Sequence, residues 1–498
     1  MHLQPSGCRA RTISVAAIVV WALFASRASA QTTLEPPGWD AALRLKEAVD
    51  LNPDPHIVEI NLEARIAGVE IAPGHQVNAW TYNGMIPGPL IRVRSGDRLI
   101  VHFSNHLPQA TTVHWHGVRV PIQMDGVPGY SQPEVNPGES FTYDFVVPDA
   151  GLFWYHPHVM SAAQVGYGLY GGLLADDPDD AVGIADELVL VLSDIGVDAT
   201  DHLEPPDSGG STGMAFGREG NIVLVNGRQQ STMTARAGVP QRWRVVNTAK
   251  SRYFRLDLGE GQVFTKIGGD GGLQEYAEQL DFVVLAPGER ADLIVTPRGA
   301  PGTQLIVRSQ LFDRGYGSIE LRLPEDLFAI AIANLPAYVE PPRPAVRRAI
   351  EPPSVVGATR VTVDLGVTQS RQDGSFHYTV NGVSFPKPFL AKFGETQIWT
   401  VTNQTPWSHP VHLHGFFFLV LDKQGMPVHP LQWKDTVSVP FKETVSFVVR
   451  FDERAGSWMF HCHILDHADG GLMGTLQLSA TGEAQPDSTV EHIHPDTP

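Results

Sequence analysis

One interval recurs three times along this chain and limits what it can fold into. An Asn-Gly pair is followed by another asparagine 22 residues later in two places and 21 residues later in a third. A repeat at a fixed interval indicates copies of one structural unit. The copies share short alternating apolar runs, turn signals and almost no helical periodicity, which predicts all-β sandwiches of Greek-key strands. The repeated pairs are Asn83 and Asn105, Asn226 and Asn247, and Asn381 and Asn403.

These repeats divide the 498 residues into predicted segments. Prolines crowd the stretch between the second and third copies, which is typical of a stiff linker. A turn-rich stretch from Pro205 to Gly213 is predicted to be a long loop without assigned chemistry. The predicted segments are a signal peptide at 1–30, a first sandwich at 31–180, a second at 181–334, a linker at 335–356, a third sandwich at 357–482 and a polar tail at 483–498.

The first 30 residues have the pattern of an export signal. Arg9 and Arg11 precede an apolar run from Ile13 to Ala25, and small residues at 28–30 supply a cleavage site. Loss of this segment removes three arginines and no acid, which takes the formal charge from −18 to −21. We expect an exported protein, periplasmic or extracellular, whose acidic surface disfavours nucleic acid and anionic membranes. No later run predicts a membrane span.

The tripeptide His461-Cys462-His463 lies in an apolar run that predicts a buried strand through Leu465. Because side chains alternate along a strand, both histidines would point one way and Cys462 the other, so two metal groups could share the tripeptide. A thiolate with imidazoles is a soft donor set that suits copper. Cys8 lies in the signal segment, so the exported chain keeps one thiol. Copper ligation explains its retention, and a buried free cysteine flanked by core histidines is the alternative.

Three other histidine pairs have the same i, i+2 spacing, which places both rings of a pair on one face of a strand. Asn83 to His114 and Asn381 to His412 both span 31 residues, so the first and third copies match. A lone pair could be a core or surface feature, but matched pairs predict one cluster between these two sandwiches. Ten of the 20 histidines lie outside the motifs, and we expect them at the surface or in the tail. The three pairs are His114 and His116, His156 and His158, and His412 and His414.

The motifs His-Trp-His-Gly, His-Pro-His, His-Pro-x-His-x-His-Gly and His-Cys-His-x-x-x-His, in this order, resemble the three-domain multicopper oxidases of the laccase type. The resemblance covers nearly all of the chain after the signal segment and implies three consecutive cupredoxin-like Greek-key sandwiches. It also implies four copper ions. The implied ligands are His409, Cys462 and His467 for the type 1 copper, His114 and His412 for the type 2 copper, and His116, His156, His158, His414, His461 and His463 for the two type 3 coppers.

The resemblance implies that a donor gives single electrons through the edge of His467, and that Cys462 passes them on for the reduction of dioxygen to water. Four protons are consumed, so a carboxylate is expected near the cluster. Asp125 matches the acidic residue of the family there, and a turn aspartate before a glycine is the alternative.

Two positions depart from the family pattern. Ala468 stands where many bacterial members have an acid, which leaves Asp469 as a weak substitute. Leu472 occupies the axial type 1 position in place of a methionine, and Met473 is one residue late and would face away on a strand.

These features favour an oxidase of phenols or aromatic amines whose partners are dioxygen and a small-molecule reductant. A Cu(I) oxidase that serves copper tolerance is the nearest alternative, although such enzymes usually carry a methionine-rich segment and this chain has nine scattered methionines. A non-enzymatic structural protein of the same fold is a third possibility, against which the complete donor set argues.

Overall fold

A computed structural model describes residues 1–2, 33–179, 182–205, 208–315, 323–343, 345–372, 374–384 and 386–483. Most of the predicted signal segment and nearly all of the predicted tail therefore lie outside the described residues. Across the ranges that are described, no helix is both long enough and apolar enough to cross a membrane. The regular secondary structure of the described chain is almost entirely β-strand, arranged as three pairs of sheets.

The first pair of sheets contains two four-stranded sheets, with strand orders β2-β1-β4-β6 and β3-β8-β7-β5. In β1 the buried residues alternate at Ile60, Leu62 and Ala64, as the period of a half-buried strand requires. The elements are β1 (Ile57–Ala72), β2 (His75–Tyr82), β3 (Gly88–Arg94), β4 (Arg98–Asn105), β5 (His114–His116), a 3-10 turn (Ile122–Met124), β6 (Ser140–Val146), β7 (Gly151–His156), α1 (Ser161–Gly166) and β8 (Gly171–Asp176).

The second pair contains a six-stranded sheet, β10-β9-β12-β17-β14-β15, and a five-stranded sheet, β11-β19-β18-β13-β16. The elements are β9 (Glu187–Ile195), α2 (Gly210–Phe216), β10 (Ile222–Val225), β11 (Ser231–Ala235), β12 (Gln241–Asn247), β13 (Phe254–Asp257), β14 (Phe264–Gly269), β15 (Gly272–Leu280), β16 (Phe282–Leu285), β17 (Arg290–Val295), β18 (Gln304–Gln310) and β19 (Glu325–Ile332).

The third pair contains two five-stranded sheets, β21-β20-β23-β27-β25 and β22-β29-β28-β24-β26. The elements are β20 (Thr359–Gln369), β21 (Phe376–Val380), β22 (Phe389–Lys392), β23 (Thr396–Asn403), β24 (His409–Leu413), β25 (Phe418–Leu421), β26 (Thr436–Val439), β27 (Thr444–Arg450), β28 (Gly456–Cys462), α3 (Leu465–Asp469) and β29 (Met473–Ser479).

The repeated asparagines have equivalent roles in all three sandwiches. Each Asn-Gly pair has two consecutive residues with positive φ, the conformation that these two residue types tolerate in tight turns. In each repeat the second asparagine donates its side-chain amide to a main-chain carbonyl four or five residues further on and closes that short loop; the acceptors belong to Gln109, Arg252 and Trp407. The backbone N–H groups that bind the first asparagine of each pair belong to Glu63, Val191 and Asp364.

Two sequence predictions about local structure are wrong. The strand through the tripeptide ends at Cys462, and helix α3 begins at Leu465, where the strand was predicted to continue; the N–H of His463 still bonds to the Pro410 carbonyl of β24. The predicted long loop from Pro205 contains helix α2. The predicted segment boundaries remain a prediction, although between β19 and β20 the described residues form only one isolated bridge, at Arg347.

Apolar contacts join the sandwiches as well as filling them. Leu152 and Trp154 of β7 belong to the same buried cluster as Val191 and Val246 of the second sandwich. Tyr253 of the second sandwich lies in the core cluster of the third. Burial of this apolar surface fixes the three sandwiches relative to one another and brings the histidine-bearing strands of the first and third together.

Candidate metal centre

Two equivalent strand pairs carry the histidine motifs. In the first sandwich β5 runs antiparallel to β7, and His114 is directly opposite His156. In the third sandwich β24 runs antiparallel to β28, and His412 is directly opposite His461. Facing positions on paired strands lie about 5 Å apart, so each sandwich presents a compact group of rings.

The two groups of rings face each other across the boundary between the first and third sandwiches. His114 stacks on His414 with ring centroids 3.9 Å apart, and His116 stacks on His412 at 3.7 Å. Seven of the eight histidines are buried and His158 is half-buried. The structure therefore brings together all eight histidines that the spacing predicted would form one cluster.

Six of these eight histidines donate one ring N–H to an oxygen of the protein. The acceptors are main-chain carbonyls or carboxylates, so the proton of a neutral ring is held on a defined nitrogen and the other nitrogen keeps its lone pair. The bonds run from His114 Nδ1 to Asp125 O, His116 Nε2 to Asp435 Oδ1, His156 Nδ1 to Pro157 O, His412 Nδ1 to Asp435 O, His414 Nδ1 to Asp125 Oδ2 and His461 Nδ1 to Cys462 O.

The remaining ring nitrogens suit metal ions. Buried polar atoms almost always have a partner, yet seven ring nitrogens of the cluster have none among the described residues. Ligand atoms of three histidine triads lie within 4.8 Å of one another: His114, His412 and His414; His114, His116 and His156; His158, His414 and His461. The unpartnered nitrogens are His114 Nε2, His116 Nδ1, His156 Nε2, His158 Nε2, His412 Nε2 and both nitrogens of His463.

A separate group forms behind the tripeptide from His409, Cys462 and His467. The Cys462 sulfur lies 3.3 Å from His409 Nδ1 and 3.7 Å from His467 Nδ1, and the two nitrogens are 3.1 Å apart. Burial raises the pKa of the Cys462 thiol above its ordinary value. A bound cation would deprotonate such a thiol, and a set of two histidines and one cysteine is the donor set of an electron-transfer copper.

The axial residue can be compared with its neighbour. Leu472 is buried in the same core cluster as Cys462, and its carbonyl accepts the Cys462 N–H at 3.0 Å. Met473 is half-buried and pairs with His461 at the start of β29. The assignment of Leu472, rather than Met473, to the axial position stays a prediction.

Asp125 lies beside the cluster and also ends a turn, so it has features of both expectations, a carboxylate at the cluster and a turn aspartate. It follows the 3-10 turn, and its Oδ2 is 2.9 Å from His414 Nδ1. Burial raises the pKa of Asp125, but His414 and His114 outweigh this and hold the pKa well below its usual range. An ionised Asp125 accepts a hydrogen bond from the Nδ1–H of His414, so the geometry favours orientation of His414 over proton donation.

Asp469 is exposed at the end of α3 and contacts the first sandwich. Its carboxylate accepts the Ala162 N–H of α1 at 2.9 Å, and partial desolvation of the carboxyl group raises the pKa of Asp469 to about 7. Helix α1 follows His158 by three residues, so this carboxyl group lies near the cluster, although Ala468 itself supplies no acid. Its function as a substitute acid stays a prediction.

The sequence did not reveal what covers His467. Its Nε2–H donates to the Ala215 carbonyl of α2 at 3.2 Å, and Tyr378 stacks on the ring at 4.4 Å. The ring is 0% exposed. We name residues 208–218 the cover segment; its last residue, Arg218, bonds to Asp466 through its main-chain N–H and its guanidinium. A donor cannot touch the edge of His467 in this conformation, and electron transfer through that edge stays a prediction.

Sequence reasoning also missed Asp435, which contacts His116 and His412 and pairs with Arg290 of the second sandwich. The sequence contained one sign that Asp435 has a charged partner. Lys434-Asp435 places two charges directly before a buried strand, where charges are rarely tolerated without partners. Asp435 completes a possible triad with these histidines, but its pairing with the Arg290 guanidinium makes it a poor site for a cation.

Comparison with known proteins identifies the family. Models described as multicopper oxidase match residues 65–180 and 357–481. The multicopper oxidase MmcO of Mycobacterium tuberculosis is 30% identical over 493 residues, covering 91% of this chain and 93% of that protein. The chain belongs to the multicopper oxidase family.

Two further proteins show how far the likeness extends. A laccase of Bacillus subtilis is 25% identical, with 80% of this oxidase and 90% of the laccase covered. The structure of a Campylobacter jejuni multicopper oxidase, described as a metallo-oxidase, superimposes with a TM-score of 0.77 at 28% identity and covers 87% of this chain and 94% of its own. These likenesses confirm the predicted fold of cupredoxin-like sandwiches and show that this oxidase is an oxidoreductase that uses copper.

The described histidines outside the motifs lie at the surface. All eight that are described are exposed, as expected, and His492 and His494 lie outside the described residues. The exposed ones are His2, His56, His75, His102, His106, His202, His377 and His429.

The copper-free oxidase should lose stability on mild acidification. Burial lowers the pKa of His409 and His414 to about 3, whereas an unfolded histidine titrates near 6.5. Between these values the unfolded chain binds more protons than the folded chain, so the free energy of unfolding falls as the pH falls. We expect the Tm of chelator-treated protein to drop by roughly 5 to 10 °C from pH 7 to pH 5. Calorimetry measures this, and a constant Tm would contradict neutral burial.

Proposed function

We propose that this oxidase couples the oxidation of phenols or aromatic amines to the reduction of dioxygen to water. Four donor molecules each lose one electron and one proton, and one dioxygen takes up four electrons and four protons to give two waters. The protein is proposed to act outside the cytoplasm, since the sequence predicts an export signal. Its segment boundaries are proposed as the sequence predicts them.

The observation that carries the proposal is the tripeptide shared by two donor groups. Cys462 belongs to the group with His409 and His467, while His461 belongs to a triad of the histidine cluster. His463, on the other side of Cys462, lies 4.9 Å from His116 between ring centroids. A short covalent path therefore joins a one-electron site to a site where several electrons can be collected.

The donor sets fit four copper ions, which would supply reversible one-electron redox chemistry when bound. We assign the ligands as the resemblance implies. The type 1 set is His409, Cys462 and His467; the type 2 set is His114 and His412; the type 3 set is His116, His156, His158, His414, His461 and His463.

The chain orients these donors through a second layer of bonds. Asp125 holds the proton of His414 on Nδ1 and that of His114 on Nδ1. Thr405 accepts the Nε2–H of His409 at 2.7 Å, which leaves Nδ1 facing Cys462. Such outer partners fix ring orientation and raise ligand basicity.

The choice of donor depends on the cover segment. A phenol cannot touch His467 in this conformation, but aromatic rings lead outward from it. Tyr378 stacks on His467, Trp407 is 6.2 Å from His467, and half-buried Phe216 and Phe376 pack on Trp407. An aromatic donor can stack on this surface, which favours organic donors. The covered ring also favours a second candidate, oxidation of a small ion such as Cu(I).

Cys462→Ser tests the central assignment. The hydroxyl cannot replace a thiolate as a soft ligand, so the variant should lose its intense blue absorption and at least 99% of its oxygen consumption, roughly a hundredfold loss. The fold should persist, since a serine is close in size. Absorption spectra, oxygen-electrode assays and circular dichroism measure the three properties. A variant that stays blue would disprove the type 1 assignment.

Phe216→Ala distinguishes the two donor classes. It removes the contact of the cover segment with Trp407, and opening should become easier if roughly 1 kcal/mol of packing is lost. The kcat/KM for bulky phenols should rise by about threefold to tenfold, while that for Cu(I) stays constant.

The matched control is Phe282→Ala, an exposed phenylalanine of the same sandwich, which should change neither value. If the wild-type enzyme consumes oxygen with Cu(I) but with no phenol or aromatic diamine, and Phe216→Ala gains none, the copper-tolerance function replaces the organic one.

Leu472→Met should lower the type 1 potential. A thioether donates electron density that stabilises Cu(II), whereas leucine offers no ligand and excludes water. Redox titration of the blue band measures the potential, with Met473→Leu as the control. If the potential is unchanged in Leu472→Met but rises in Met473→Leu, then Met473 is the axial ligand.

A further inference from the structure

The second sandwich supplies no histidine to the cluster, yet one of its turns lies directly against it. The turn between β16 and β17 contains Gly288, with a φ of +88°. A Cβ atom there would lie 3.0 Å from His116 Cε1 and from His463 Cδ2. Only a residue without a side chain allows this close approach, and glycine also adopts the positive φ without strain.

Arg290, two residues after this glycine, joins all three sandwiches. Its side chain is 0% exposed. Its Nε donates to Leu152 O of the first sandwich at 3.1 Å, and Nη1 and Nη2 donate to Gly288 O at 2.8 Å and Asp270 O at 2.9 Å in its own. Both Nη atoms also reach the carboxylate of Asp435 in the third sandwich, Nη1 at 2.8 Å. A planar guanidinium matches this forked geometry, and a lysine does not.

Asp435 transmits this constraint to two histidines. Its Oδ1 accepts the Nε2–H of His116 at 3.2 Å, and its main-chain carbonyl accepts the Nδ1–H of His412 at 3.0 Å. Thr436 adds a bond to Asp435 Oδ1 at 2.8 Å, so the carboxylate is held from both sides. The nitrogens left free on these two rings are His116 Nδ1 and His412 Nε2, and neither has a partner in the part of the chain that the structure describes.

We propose that Arg290 is a positioning residue for the histidine cluster: by fixing Asp435 it sets which nitrogen of His116 and His412 is free to bind copper. The middle sandwich, which has no ligand of its own, thereby determines the geometry of the site. The inference rests on the proposed function, because it takes the cluster to be the type 2 and type 3 copper site.

Arg290→Lys tests this inference. It keeps the positive charge but cannot bond to Asp435 with a fork, so His412 should lose its fixed orientation. We expect the type 2 copper to bind roughly 10- to 100-fold more weakly and its electron paramagnetic resonance hyperfine splitting to change. The type 1 blue band should be unchanged, since Cys462 is held by other contacts. A chelator titration followed by resonance, with the blue band as internal reference, measures both.

The control is Arg242→Lys. Arg242 is also buried and pairs with Asp292, and it lies at the other end of the same strand pair, where it faces Ile294 while Arg290 faces Val246. This variant should lower the Tm by a similar amount without affecting the type 2 signal.

Asp435→Asn serves as a second variant in case Arg290→Lys does not fold. It keeps the main-chain acceptor for His412 and removes the carboxylate that faces His116. We expect the type 3 absorption near the ultraviolet to change more than the type 2 signal.

Three outcomes would overturn the inference: an unchanged type 2 affinity and spectrum in Arg290→Lys, an equal loss in Arg242→Lys, or, where Arg290→Lys does not fold, Asp435→Asn with wild-type type 2 and type 3 spectra. A wild-type protein that binds type 1 copper alone would instead contradict the proposed function.

Discussion

The structure depends on a compromise at each buried imidazole. A neutral ring has one N–H that must be satisfied and one lone pair that must stay free to bind a metal ion. In six of the eight cluster histidines an oxygen of the protein takes the N–H. Four of those six acceptors are main-chain carbonyls, those of Asp125, Pro157, Asp435 and Cys462, so the backbone itself fixes the tautomers of four rings. Burial without these acceptors would leave polar groups unpaired at a cost of about 1 to 3 kcal/mol each.

Strand alternation places the side chains of the tripeptide on two faces, but alternation alone does not complete the group of His409, Cys462 and His467. His467 lies five residues after Cys462, too far along an extended strand to return to the same sulfur. The chain leaves the strand after Cys462 and forms α3, which brings His467 Nδ1 to 3.7 Å from the sulfur. The helix that the sequence analysis missed is therefore the element that makes the group possible.

Local spacing was sufficient to predict the histidine cluster and the three sandwiches. Contacts between residues far apart in the chain could not be predicted from it. The i, i+2 pairs and the Asn-Gly repeats encode strand faces and turns within a few residues, so the cluster and the three sandwiches could be inferred from them. Arg290 and Asp435 are 145 residues apart and meet only because the second and third sandwiches pack together. The position of the cover segment could not be predicted for the same reason. Its glycine-rich sequence predicts a loop, and only tertiary packing places Ala215 on His467.

The surroundings of the group of His409, Cys462 and His467 affect both its redox chemistry and the access of a donor to it. The cover segment, the ring of Tyr378 and the side chain of Leu472 surround it with apolar or fully bonded groups. A medium of low polarity disfavours the more highly charged state of a bound ion, so we expect these contacts to favour the reduced form and to raise the redox potential. The same contacts remove His467 from the surface. A high potential, which stays a prediction, and restricted access would therefore have one structural origin. A donor must either stack on the aromatic surface around Trp407 or displace the cover segment.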